Sequence, residues 1–251
     1  MIQPDQPNAP RTARERARAE VMAELLAAAN ARLDTDGAAA LSLRAIARDL
    51  GMASSAVYRY VDSRDALLTL LIVDGYNAAG LACEGAATAA RGRGDGPAQV
   101  WLAVARALRA WALAHPRSYE LIYGTPVPGY RAPTDTVAAA TRLWAVIIAV
   151  TRDAEAAGTL APTGPEFPTT GLITAETFAF AGYDPASGSP EQTRQIELMI
   201  VRSFTLFSCV LGAISAELFG HFHNVTADLA GVFDATIATA AAGVGLIVDV
   251  G

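Results

Sequence analysis

The chain reads as an all-α protein in which a small N-terminal three-helix domain precedes a larger helical one. Three observations lead there. Within the long segments, apolar residues recur at the three- and four-residue spacing of a helix face. Glycine and proline clusters separate those segments, at Asp36-Gly37, from Arg91 to Pro97 and from Gly124 to Gly129. Of the 251 residues, 52% are hydrophobic and 18% charged, so a substantial buried core is expected.

In chain order, residues 1–12 hold three prolines among polar groups and read as a disordered arm. Arg11 to Arg18 then packs four Arg into eight residues, either a solvated first turn or a cationic arm for nucleic-acid phosphates. A first helix is expected from Thr12 to Leu33, with Met22, Leu25, Leu26, Ala29 and Leu33 as its apolar stripe. Ser42 stands as N-cap of the next helix. In that helix Leu43, Ile46, Ala47 and Leu50 fall at i, i+3, i+4 and i+7. Gly51 follows, where the chain must turn sharply. A further helix is expected from Ala53 to Tyr60. Its inner side is Ala56, Val57 and Tyr60; its outer side carries Ser54, Ser55, Tyr58 and Arg59, all able to hydrogen-bond. Two helices joined by about four residues with a glycine form a helix-turn-helix, whose second helix enters the DNA major groove. Asp62 or Ser63 can cap a fourth helix, from Arg64 to about Glu84.

Charge distribution supports that reading despite a net charge of −6. From Arg11 to Arg64 there are nine Arg against seven acids, whereas from Asp65 onward there are ten against seventeen. The basic quarter coincides with the helix-turn-helix. The chain has no Lys, so every cationic phosphate contact falls to Arg.

Residues 14–84 resemble the DNA-binding domain of the tetracycline-repressor (TetR/AcrR) family of bacterial regulators. The resemblance rests on the first-helix stripe, Leu41-Ser42, Arg44-Ala45-Ile46-Ala47, Leu50-Gly51-Met52, Ala56-Val57-Tyr58-Arg59-Tyr60 and Ser63-Arg64-Asp65-Ala66-Leu67-Leu68. Ala53 departs from it, standing where the family usually has a capping Ser, so Ser54 or Ser55 is expected to take over the cap. Val61 stands where an aromatic is usual. By position, the resemblance implies phosphate contacts from Ser42, Arg44 and Arg64, and base edges facing Ser54, Ser55, Ala56 and Arg59. It gives Tyr58 and Tyr60 to the DNA backbone, core packing being the other reading of both. Arg59 is the candidate for guanine, because its fork can bond two acceptors on that base.

The glycine-rich break from Arg91 to Pro97 is the expected boundary, giving domains of 13–84 and 92–251. Beyond it, Gln99 to Ala114 reads as an apolar helix stopped by His115-Pro116. Arg117 to Tyr123 is a short aromatic-rich segment, and the Pro/Gly-rich run to Tyr130 excludes helix and strand interiors. Asp135 to Ala157 reads as one long helix. Residues 162–190 read as a partly helical insertion around Leu172 to Phe180. Arg194 to Phe219 and Val225 to Leu246 are the last two helices. The runs AHPRSYELIYGTPVPGYRAP and ISAELFGHFHN resemble the WHG-type C-terminal domain of one branch of the same family. That resemblance implies that the last two helices form a four-helix interface in a homodimer, and a dimer reads two half-sites of a palindromic operator.

No nucleophile elbow, phosphate-binding glycine loop or metal-ligand spacing appears, so no enzymatic activity, cofactor or metal is expected. Two distant cysteines, Cys83 and Cys209, read as buried free thiols. No signal peptide opens the chain and the longest charge-free run in its last third, Ser203 to Ala216, is short for a membrane span. A cytoplasmic protein without a membrane partner is therefore expected. Trp111, His115, Tyr119, Tyr123, Trp144 and Phe178, with Phe180 beside them, offer aromatic walls with polar tips for a small-molecule effector. The expectation is a homodimeric, ligand-responsive repressor of a double-stranded DNA operator. Two rivals stand beside it: a DNA-binding regulator without an effector, and an all-α small-molecule-binding protein or enzyme with a vestigial DNA domain.

Overall fold

In chain order the helices are α1 (Ala13–Asp36), α2 (Leu43–Asp49), α3 (Ser54–Val57), α4 (Arg64–Gly92), α5 (Pro97–Ala114) and α6 (Pro116–Tyr123), followed by α7 (Val137–Ala140), α8 (Arg142–Ala156), α9 (Ala175–Phe180), α10 (Pro190–Leu218) and α11 (Leu229–Val244). The structure, a computed structural model, describes residues 12–164, 167–169 and 171–250. Among them there is no strand, and the fold is all-α. The expected N-terminal arm lies outside the described residues, except for Thr12.

The chain divides into two compact units, one of residues 1–75 with 117–136 and one of residues 76–116 with 137–251. The change therefore falls inside α4, and a segment expected in the C-terminal domain belongs with the N-terminal unit.

In the first unit, α1 is fixed at its start by a capping box, Thr12 accepting from the Glu15 N–H while Glu15 accepts from the Thr12 N–H. Its buried stripe Leu25, Ala29 and Leu33 meets Ile46, Val57 and Leu67 in one core. Leu121, Val127 and Tyr130 of the second segment pack on the same core, and the Tyr130 and Thr69 hydroxyls are hydrogen-bonded at 2.9 Å. Ser63 caps α4 by accepting from the Ala66 N–H.

In the second unit, α10 packs along α11 and α8, and α5 against α8 and α11. Arg142 on α8 holds Glu84 on α4 through two bonds of 2.6 and 2.8 Å and also donates to Asn77. Glu84 is held below the usual carboxylate range by that guanidinium. Arg109 on α5 grips Glu217 on α10 by two bonds of 2.6 Å and lies 5.5 Å from the Phe233 ring.

Four expectations need correction. The helix expected from Asp135 to Ala157 is broken at Thr141 into α7 and α8, with a 41° bend. The Thr141 hydroxyl bonds the carbonyls of Val137 and Ala138 at the break, beside its own N–H bond to Val137, a back-bonding pattern that bends helices. The helix expected from Val225 begins only at Leu229, because Asp228 caps it by accepting from the Gly231 N–H. Cys83 is buried and its thiol pushed up to about 12 by desolvation, whereas Cys209 is only half-buried. Finally, α4 and α10, at 29 residues each, are long and apolar enough to cross a membrane by length and composition. A charge-free run misses them because each spaces a few charges along its length. Those charges are engaged with neighbouring side chains: Asp74 accepts from Asn30, Glu84 pairs with Arg142, and buried Glu197 accepts from Thr169.

Candidate nucleic-acid interface

The helix-turn-helix is α2, a turn and α3. Leu43, Ala45, Ile46 and Ala47 bury one side of α2, and Gly51 makes the turn with a φ of 63°, a conformation open to glycine at little cost. The recognition helix is shorter than expected: regular α-helix covers Ser54–Val57, not Ala53 to Tyr60. The last turn tightens instead, with Arg59 N–H bonding Ala56 and Tyr60 N–H bonding Val57 three residues back.

Burial of Val57 turns the rest of this element outward. Ser54, Ser55 and Arg59 are exposed, Tyr58 is 45% exposed and Ala56 is half-buried. Arg44 is exposed on α2. Neither Arg44 nor Arg59 has an ion-pair partner among the described residues, so both cations are available to an outside acceptor.

Ser42 is half-buried in N-cap position with extended backbone, as its sequence position suggests, but its hydroxyl makes no capping bond. Ala53 caps α3 with the same extended backbone and no side-chain acceptor, and neither Ser54 nor Ser55 replaces one. Replacing Ala53→Ser supplies the missing oxygen to an N–H already in place. Urea unfolding is expected to show a gain of about 1 kcal/mol.

Two long-range pairings, Arg32 with Asp49 and Arg18 with Tyr60, fix the geometry, and nothing in their sequence spacing announces them. Arg32 on α1 bonds Asp49 at the end of α2 at 2.6 and 2.8 Å and Asp36 at 3.0 Å. The guanidinium holds the Asp49 carboxyl below its usual range, and the two carboxylates raise Arg32. Arg18 lies over the Tyr60 ring, 5.3 Å from its centroid, while Tyr60 packs half-buried against the core. Arg64 is half-buried and directs one nitrogen inward, to the carbonyls of Ala38 and Ala39 at 2.9 and 3.3 Å. It ties the turn before α2 to the start of α4.

Of the six aromatic and histidine candidates, Trp144 and Phe178 share one apolar cluster of the second unit with Ile148 and Ile200. Tyr119 and Tyr123 lie in the first unit, 5.3 Å apart, with Tyr119 fully buried. Trp111 stacks on His115 in the second unit. Trp144 stacks between Phe180 at 4.9 Å and Phe204 at 5.3 Å, and its indole donates to Ser203. Phe178 is buried against Tyr183. Among the described residues no three His, Cys, Asp or Glu side chains group as metal ligands.

A short, outward-facing recognition helix with free Arg and Ser side chains, set on a three-helix core, defines a DNA-binding transcription regulator. Residues 25–71 match the model of the bacterial regulatory proteins of the tetR family, and residues 101–240 match that of the tetracyclin repressor-like C-terminal domain. The chain belongs to the TetR family of transcriptional regulators. It is 39% identical over 234 residues to HTH-type transcriptional regulators of Mycobacterium tuberculosis and Mycobacterium bovis, covering 88% of this chain and 91% of each relative. The crystal structure of the regulatory protein SCO4313 is similar at 36% identity with a TM-score of 0.66, over 91% of this chain and 98% of that one. A tetR-family regulator from Rhodococcus RHA1 shares the fold at 16% identity, with a TM-score of 0.55 over 89% of this chain and 96% of that one.

Proposed function

We propose that this regulator acts in the cytoplasm as a homodimeric repressor that reads a palindromic operator through α3 and is released by a small-molecule effector. The observation that carries the DNA half is the outward set of Ser54, Ser55, Tyr58 and Arg59 above buried Val57, flanked by unpaired Arg44. In this reading Arg59 addresses a base edge, Ser54, Ser55 and Ala56 lie against neighbouring bases, and Ser42, Arg44 and Tyr58 hold the backbone. Tyr60 and Arg64 act mainly by positioning, through the Arg18 contact and the bonds to Ala38 and Ala39.

The dimer reading is supported by exposed small and apolar side chains at four-residue spacing. Phe204, Ser208 and Gly212 on α10, and Gly231, Ala235 and Thr239 on α11, are all exposed. Small residues let two helix pairs approach closely, and a twofold dimer supplies the second reading head. Support for an effector comes from Trp101, whose buried indole N–H has no acceptor among the described residues. A ligand oxygen there would satisfy a donor that otherwise costs about 1–3 kcal/mol.

One observation favours the reading without an effector. Trp144 and Phe178 are engaged with other rings instead of lining an open cavity.

Mobility-shift titration against DNA upstream of the chain's own gene, at several salt concentrations, tests the DNA role. Sequence-dependent binding whose logarithm falls linearly with the logarithm of salt is expected. Equal binding to upstream and random DNA would sink the repressor reading. Sedimentation of the free chain at micromolar concentration is expected to give twice the chain mass.

A further inference from the structure

A hollow of about 530 Å³ opens beside the C-terminal end of the recognition helix, wholly within the first unit. Tyr58, Arg59 and Tyr60 form one wall, and Met22, Leu70 and Pro133 supply apolar surface. Its volume falls in the range of small-molecule sites, and its make-up follows their pattern of mostly apolar lining with a few polar groups.

Charge and ring chemistry narrow the occupant. Arg59 has no ion-pair partner among the described residues, and Arg18 adds a second guanidinium 5.3 Å from the Tyr60 ring. Against them stands one carboxylate on the lining, Asp62. The lining itself carries one guanidinium and one carboxylate. Arg18, off the lining but against the Tyr60 ring, tips the balance toward an anion, and tyrosine rings beside aliphatic surface favour a flat apolar body. The Thr69 hydroxyl on the lining is engaged with Tyr130, which leaves the Tyr58 and Tyr60 hydroxyls as its other uncharged polar side-chain groups.

We propose that this hollow binds a small aromatic anion, such as an aromatic carboxylate, and that occupancy excludes DNA from the recognition helix. The exclusion rests on the DNA-reading role given above to Tyr58 and Arg59, which line the hollow and face outward. Binding and exclusion are then linked: each ligand weakens the other by the same factor. This site is separate from any effector site in the second unit.

The test titrates the full-length protein with 1-naphthoate, read by the dye's fluorescence anisotropy, with and without a duplex DNA at low salt. Saturable binding is expected, weakened by DNA in a competitive manner. Ala66→Trp, which fills the hollow from α4, should lower naphthoate affinity by roughly tenfold or more. Its thermal unfolding midpoint checks that the variant is folded. Arg18→Gln, which removes one cation without filling space, should lower affinity by a few-fold, and 1-naphthylmethylamine should bind more weakly than the carboxylate. No saturable binding, or binding unchanged both by DNA and by the Ala66 and Arg18 variants, would overturn the proposal. If DNA fails to bind at all, the DNA reading falls, while the variants still decide whether the hollow takes the anion.

Discussion

Replacing Gly245→Ala is expected to destabilise the protein by about 3 kcal/mol or more, measured as a lower urea midpoint at fixed chain concentration. Gly245 ends α11 in the left-handed region, with a φ of 103°. Its N–H closes the helix on the carbonyls of Ala241 and Ala242, and its own carbonyl accepts from Ala161 at 3.1 Å. A Cβ there would lie 2.6 Å from the Pro162 nitrogen and 2.8 Å from Ala161 backbone atoms. Backbone cannot swing aside as a long side chain can. The substitution must therefore either strain the cap or detach residues 161–164 from α11. Detachment would also loosen the bond from Gly164 N–H to the Gly243 carbonyl and the burial of Leu246. Gly243 makes the comparison sharp. It lies in α11 with open space where a methyl would stand, so Gly243→Ala should stabilise by up to about 1 kcal/mol. Equal losses from both substitutions would show that the close approach to Ala161 and Pro162 is not what holds this end of the chain.

Local chemistry made the reading domain legible. The spacing of Leu43, Ile46, Ala47 and Leu50 describes a helix face, Gly51 has the positive φ that a sharp turn requires, and Ser63 caps α4. Each is settled within a few residues of chain. What the sequence hid is longer in range. The docking of Leu121, Val127 and Tyr130 on the N-terminal core joins residues some sixty positions apart, and the linear pattern of a Pro/Gly-rich loop carries no trace of its partner. The aromatic candidates show the same limit. Ring content marks candidate residues, but which rings stack, as Trp144 does on Phe180 and Phe204, emerges only once helices are placed. Arg64 is the subtler case. Its place at the start of α4 suits a phosphate contact, yet the nearest acceptors are carbonyls left by the 38–40 turn. Sequence located the cation correctly and could not say which acceptor it would find.

That distinction divides the three arginines of the interface, and Arg59→Ala is the substitution expected to weaken operator binding most. Arg59 is exposed and unpaired, so its removal leaves the fold untouched and takes away a two-pronged donor for guanine. The loss should be about 1–3 kcal/mol, with relaxed preference at one base pair in each half-site. Arg44→Ala, also at an exposed and unpaired position, should instead weaken upstream and random DNA alike and reduce the salt slope by about one per reading head. Arg64→Ala should differ from both. Losing the bonds to Ala38 and Ala39 frees the turn that leads into α2, so its signature is a lower unfolding midpoint accompanying weaker binding. Mobility shifts on a set of single-base operator variants, run beside urea unfolding for each protein, separate the three. Identical losses for Arg59→Ala on specific and random duplexes would return Arg59 to the phosphates. The base-reading role would then fall to Ser54, Ser55 and Tyr58, the remaining exposed side chains with a hydrogen-bonding group on α3 and the turn after it.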